Sequence, residues 1–335
     1  MVSRHFISRH SIKPTKKDVE SKQYRGISGG GVQLARDSAR NILVDMEKSP
    51  AGSVMFLGGV SDAVRTRSTA QVYGDELKAL VKDRDDYLVV CEGDYSGIGE
   101  LKKIIRDNPD KKIIIDVPMF LKELSMMKRW TDGKGNYTEF TKRLLRKGNG
   151  SEYKSLKYWI NHPGRIGKLE GPKPEEVAKT YQQGVGRLEK FAEGIAGKRL
   201  YKTGIVGHSM EADVYLAYLA GEGKIDVKTL EKLANGKGMI RETEMANIDI
   251  DSGKATISYR GKETSANLER ITAAVLFGSA VLSLLFSPSF TGNVIGAGSS
   301  KYLGLVFSGL AITAIAALIF FSKKRKVKKS VSFYY

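Results

Sequence analysis

Along residues 5–260, short and nearly continuous apolar runs alternate with longer stretches in which apolar positions return every three or four residues. The short runs predict strands at 5–8, 53–57, 87–91, 112–117 and 200–206. The longer stretches predict helices at 31–47, 64–83, 97–107, 175–194 and 212–220. A late pair, 238–250 and 255–260, joined by Asp251-Ser252-Gly253, reads as a hairpin. Alternation of this kind argues for a layered α/β domain spanning residues 1–262. Residues 120–172, rich in Lys, Gly and aromatic side chains, break the rhythm and read as a helical insertion.

The pattern changes near residue 268. ITAAVLFGSAVLSLLF (271–286) and LGLVFSGLAITAIAALIFF (303–321) contain no charged residue. About 20 apolar residues cross a ~30 Å hydrocarbon layer, so the second run spans it, and the first does so by recruiting Leu268 or Phe290. Lys262 and Arg270 precede the pair, Lys301 alone lies in the connector, and Lys323, Lys324, Arg325, Lys326, Lys328 and Lys329 follow. By the positive-inside rule, 268–322 is a two-helix anchor with the α/β domain and the basic tail 323–335 both on the cytoplasmic side. Residues 1–20 are charged and lack an apolar stretch, so no signal peptide is expected there.

The chain of 335 residues carries a formal net charge of +18, which admits anionic partners: nucleic acid, an anionic bilayer or phosphorylated substrates. Part of the excess sits in the tail, and the rest lacks the aromatic interleaving of a strand-binding groove, so nucleic acid is not the expected partner. One cysteine, Cys91, and four histidines (His5, His10, His162, His208) form no metal-ligand spacing and allow no intrachain disulfide. Neither a metal nor a cofactor is expected.

Two of those histidines sit where chemistry is commonly placed in an α/β sheet. The first strand runs into Arg9-His10-Ser11, and a late strand runs through Gly207-His208-Ser209 into a helix. Strand C-termini and the helix N-termini beside them form the ligand-binding edge, and helix N-termini favour anions. Between these motifs, Ser61-Asp62-Ala63-Val64-Arg65-Thr66-Arg67-Ser68-Thr69-Ala70 leaves a strand and opens a helix, bringing an arginine to the same edge.

In this order the three pieces resemble the histidine phosphatase superfamily, also called phosphoglycerate-mutase-like. Arg9 and His10 match its Arg-His-Gly motif, Arg65, Thr69 and Ala70 its Ser-Pro-x-x-Arg-x-x-x-Thr-Ala motif, and His208 its late histidine. Ser11 replaces the family's glycine and Asp62 its proline, and the first change sets a side chain where the family keeps bare backbone beside the phosphate. The resemblance implies a three-layer α/β/α domain and a phosphate site lined by Arg9, His10, Arg65 and His208. It also implies metal-independent hydrolysis of a phosphomonoester through a phosphohistidine on His10.

Elementary chemistry agrees with that implication. A neutral imidazole whose other nitrogen is held by a carbonyl can attack phosphorus, and guanidinium forks suit the transferring oxygens. A leaving alkoxide needs an acid. Glu92 is the first candidate, because Glu92-Gly93-Asp94-Tyr95-Ser96-Gly97 resembles the family's Glu-x-x-x-x-Gly segment, with Glu211 and Asp94 as alternatives. Arg67 and Lys13 read as surface residues, and His5 and His162 as structural or exposed.

Val206-Gly207-His208-Ser209-Met210-Glu211 also resembles a nucleophile elbow. Glu211 stands where the elbow needs a small residue, and no histidine follows to complete a triad. Gly29-Gly30-Gly31 lacks the lysine of a phosphate loop and reads as a turn. The expectation is therefore a membrane-anchored phosphatase whose partners are a phosphorylated substrate (small molecule, lipid headgroup or phosphoprotein) and the lipid itself. The alternative is an inactive phosphate-binding scaffold, suggested by Ser11 and by the open choice of acid, and a phosphomutase is disfavoured for want of an acceptor pocket.

Overall fold

The computed structural model describes residues 3–118, 121–124, 127–132 and 136–268. The two apolar segments and the basic tail expected to form the anchor lie outside the described residues, as does the whole second unit, 273–335. Among the described residues no helix is long and apolar enough to cross a membrane.

In chain order the elements are β1 (Ser3–Arg9), α1 (Gly29–Glu47), β2 (Val54–Gly59), α2 (Val64–Leu80), β3 (Tyr87–Val90), α3 (Ile98–Asp107) and β4 (Lys112–Val117). The insertion follows as α4 (Met127–Trp130), α5 (Glu139–Lys147), α6 (Glu152–Asn161) and the small hairpin β5 (Arg165–Ile166) and β6 (Leu169–Glu170). Then come α7 (Pro174–Ala196), β7 (Tyr201–Gly207), α8 (Ser209–Ala220), α9 (Val227–Ala234), β8 (Met245–Asp251), β9 (Lys254–Tyr259) and β10 (Lys262–Asn267).

The main sheet runs β10-β9-β8-β1-β7-β2-β4-β3. From β1 to β3 every pairing is parallel; β8, β9 and β10 are antiparallel additions. Side-chain alternation explains the layers. On β2, Met55 and Leu57 face α1 and α2, joining Ala35, Ala39, Ile42, Met46, Val72, Tyr73 and Leu77. Val54 and Phe56 face the other way, onto Leu101 and Ile105 of α3 and Ala192 and Ile195 of α7. A strand covered on both faces must be apolar throughout, which is why β2 and β4 are continuous apolar runs. In β8 burial alternates, with Ala246 and Ile248 inward and Asn247 outward, as an antiparallel strand with one wet face requires. The result is the three-layer α/β/α arrangement expected from the sequence.

Two boundaries differ from expectation. The late hairpin forms over Ser252-Gly253, both at positive φ, but it gains a third strand, β10, whose only buried side chain is Ala266. Such a polar edge strand carries no periodic apolar signal. The fold consequently continues past 262, through β10 to at least 268. Leu268, assigned above to the first membrane run, is buried in the fold and donates its amide to the Gly253 carbonyl (2.6 Å).

The entry of α2 rests directly on β2. A Cβ on Gly59 would lie 2.6 Å from the Thr66 carbonyl oxygen and closer still to the Arg67 Cα. Gly59→Ala should therefore cost about 1–3 kcal/mol, read as a lowered urea midpoint at unchanged slope.

Candidate active site

β1 and β7 are parallel neighbours with Arg9 in register with Gly207, so their C-terminal ends deliver His10 and His208 side by side. The His10 amide extends the ladder to the Gly207 carbonyl (2.9 Å). β2, the next strand, leads into α2 and brings Arg65 to the same edge. α2 and α8 both start here, and neither Ala63 nor His208 supplies a side-chain cap. The positive ends of both helix dipoles thus favour an anion at this edge.

The two imidazole rings meet edge to face, 5.1 Å between centroids at 66°. His10 Nδ1 lies 2.7 Å from the Ser11 carbonyl, so it carries the proton. Nε2 is left as the lone pair, and it accepts from Arg65 Nε at 2.9 Å. Ser61 donates to Asp62 (3.1 Å) and so accepts from His208 Nε2 (2.9 Å), which leaves His208 Nδ1 as acceptor toward Arg65 Nη2 at 3.4 Å. One guanidinium thus spans both imidazoles. Burial, reinforced by the Arg65 charge, pushes His10 down to about 3, and burial beside His10 and Arg65 holds His208 well below the usual histidine range. Both rings are neutral bases near pH 7.

Thr69 couples the two motifs. Its hydroxyl accepts from the Ser11 amide (2.9 Å) and donates to the Arg65 carbonyl (2.7 Å), so β1's exit and the first turn of α2 move together. The Ser11 side chain does not stand beside the phosphate position as expected. It turns into the start of α1, where its hydroxyl donates to the Gly31 carbonyl at 2.6 Å. A Cβ on Gly31 would press on the Ile12 carbonyl at 2.8 Å, so the serine and this glycine fit as a pair.

Arg9, His10, Arg65 and His208 line one cavity, together with Lys13 at its exposed mouth. Arg9 is held by the Ile240 carbonyl (3.3 Å) and by Glu152 and Glu242 (3.2 and 3.1 Å), while its Nε is buried without a hydrogen-bond partner. The insertion supplies the facing wall through Trp130, Tyr137, Thr141, Leu144, Leu145 and Glu152. No motif pointed to these residues. Their only signal was a stretch rich in Lys, Gly and aromatic side chains that reads as a helical insertion.

Of the three candidate acids, Glu211 alone reaches the cavity. It is buried in the first turn of α8, accepts from Trp130 Nε1 at 2.7 Å, and burial raises its pKa above the usual carboxylate value. Glu92 and Asp94 do not line the cavity. Glu92 follows β3, four strands from β1, or roughly 19 Å at ~4.8 Å per strand. It pairs there with Arg67 and Gln71, and the Arg67 contact holds its pKa down. Asp94 pairs with Lys78 at 2.8 Å. Arg67 binds Asp116 (2.9 Å) as well as Glu92 and faces away from the cavity lining. His5 is buried beside Glu189 at 3.4 Å, and His162 is exposed and stacks on Tyr158. Among the described residues no group of three or more His, Cys, Asp or Glu is placed to hold a metal ion.

No family model and no curated protein matches the chain. Solved structures that the chain resembles include a mycobacterial glucosyl-3-phosphoglycerate phosphatase (12% identity, 74% of this chain and 91% of that one, TM-score 0.40). Others are a protein called mycobacterial hydrolase 2 (14%, 84% and 97%, TM-score 0.42) and a phosphoglycerate mutase from Bacillus anthracis (12%, 78% and 93%, TM-score 0.37). At TM-scores below 0.5 these similarities assign neither family nor activity.

Proposed function

We propose that this site hydrolyses a phosphomonoester through a phosphohistidine on His10, and that the chain is a histidine-phosphatase-type enzyme. The observation that carries the reading is the state of His10: a buried neutral imidazole, its Nδ1 proton tied to a carbonyl and its Nε2 lone pair facing an arginine in a cationic cavity.

An arriving phosphoryl dianion takes the Arg65 guanidinium from the two histidines, because the dianion is the stronger acceptor. Its field also favours the charged form of His208, which takes a proton from solvent at Nδ1 and donates it in a hydrogen bond to a phosphoryl oxygen. Nε2 of His10 forms the bond to phosphorus as the ester P–O bond breaks, and protonated Glu211 gives its proton to the leaving oxygen. Water then attacks phosphorus, the P–N pair returns to Nε2, and the Glu211 carboxylate takes the water's proton. Glu211 suits the acid role for two reasons: it lies in the cavity, and burial keeps it protonated above the usual carboxylate range.

Turnover is favoured over the scaffold alternative because Ser11 is turned into α1 and Glu211 stands in the cavity as a candidate acid. The apolar runs 271–286 and 303–321 support work at a membrane surface, with domain and tail cytoplasmic and lipid as a partner.

The test is a phosphomonoester panel assayed with the full chain, with and without chelator, alongside two variants. Glu211→Gln should lower kcat on the order of 10²–10³-fold for alkyl esters. It should also remove the alkaline limb of the wild-type profile, where activity falls as pH rises through the pKa of Glu211. Glu92→Gln should change kcat less than threefold. The opposite ranking returns the acid role to Glu92, and loss of all turnover with chelator sinks the metal-independent mechanism.

A further inference from the structure

Beyond the phosphate position the cavity is bounded by the insertion and by Met210 and opens to solvent. Two features of this wall stand out. Carbon outweighs polar surface on it: Leu144 and Leu145 come from α5, Met210 from α8, and Tyr137 keeps 42% of its surface in water beside the arginine that serves the phosphate. Most of its polar groups are already committed, the Tyr137 hydroxyl excepted. Thr141 Oγ1 donates to the Trp130 carbonyl (2.8 Å) and accepts from Thr138, Trp130 Nε1 donates to Glu211, and Glu152 is held on Arg9.

We infer that the group esterified to the phosphate is apolar, an aromatic ring or a hydrocarbon chain, and not a sugar or polyol. The inference rests on the phosphatase reading above and deepens it. A sugar placed against this wall would bury hydroxyls facing carbon or facing groups that already have partners, and each such hydroxyl would lose its water without replacement. A hydrocarbon loses nothing there and covers Tyr137, Leu145 and Met210.

The test uses the full chain and compares ethyl, butyl and hexyl phosphate and benzyl phosphate with glycerol 3-phosphate and glucose 6-phosphate. Glycerol leaves more readily than hexanol, so a preference for hexyl phosphate has to come from binding. Each methylene taken up by the wall should raise kcat/KM about fourfold, mainly through KM, until the wall is covered. Hexyl and benzyl phosphate should exceed glycerol 3-phosphate at least tenfold. Leu145→Ser should raise KM for hexyl phosphate about tenfold while leaving the inhibition constant of inorganic phosphate unchanged, which also reports that the variant is folded. A flat chain-length series, or a preference for glycerol or glucose esters, overturns the inference while leaving hydrolysis through His10 intact. If inorganic phosphate does not bind and no ester is hydrolysed, the phosphatase reading falls and this inference falls with it.

Discussion

His10→Ala should abolish turnover, with kcat falling on the order of 10⁴-fold or more, equivalent to at least about 5 kcal/mol of lost barrier reduction. The size follows from the kind of loss. The bond to phosphorus is made by Nε2 itself, and among the cavity residues the other imidazole, His208, has its Nε2 committed to Ser61 and its Nδ1 turned toward Arg65. Removing the nucleophile leaves direct attack by water, helped only by the remaining cations. Acid-quenched wild type should carry phosphate that is labile to acid and stable to base, as a nitrogen–phosphorus bond is, and His10→Ala should carry none. Retained label in the variant, or a linkage stable to acid, would assign the covalent step elsewhere.

Arg65→Ala should lower kcat on the order of 10²–10³-fold while leaving measurable turnover, because Arg9 and His208 still face the transferring oxygens. Its pH profile should change as well. The Arg65 charge is one cause of the low His10 pKa and also lowers that of His208; burial, the larger cause for both, remains. With the guanidinium gone both pKa values rise toward 6.5, so the nucleophile becomes protonated at a higher pH than before. The acid limb of kcat/KM should therefore move upward in the variant. Arg65→Lys should restore much of the limb's position but little of the rate, since an ammonium supplies the charge without the fork that spans two rings. A variant whose acid limb stays put would show that Arg65 acts on the substrate alone.

How far the sequence anticipates this site depends on whether the deciding contact is local. His10 and His208 were legible because each ends a strand and precedes a turn or helix, and strand ends converge whenever their strands are parallel neighbours. Arg65 followed for the same reason. Glu92 did not, although it also ends a strand. The pairing of β4 with both β2 and β3 pushes that strand to the sheet's rim, and strand order is a non-local property that no window of sequence contains. The direction of the Ser11 hydroxyl was likewise hidden, being set by the Gly31 carbonyl twenty residues on. The wall residues Tyr137, Leu145 and Glu152 sit in an insertion whose placement is tertiary, so their pattern carried no instruction about where they would face. β10 escaped because an edge strand with one buried side chain has almost nothing for periodicity to register.

That strand sets how the domain would carry a load. The described residues end at Leu268, just past the end of β10 that lies against the start of β9, so a pull applied at that point would peel the hairpin one rung at a time. The Leu268–Gly253 bond would open first, followed by the pairing of Asn267 with Lys254. Peeling β10 breaks pairing with β9 only, and β9 and β8 still stand between it and β1. Strain arriving through the C-terminal connection would thus be spent at the rim of the sheet, and the strands that hold His10 and His208 would keep their register.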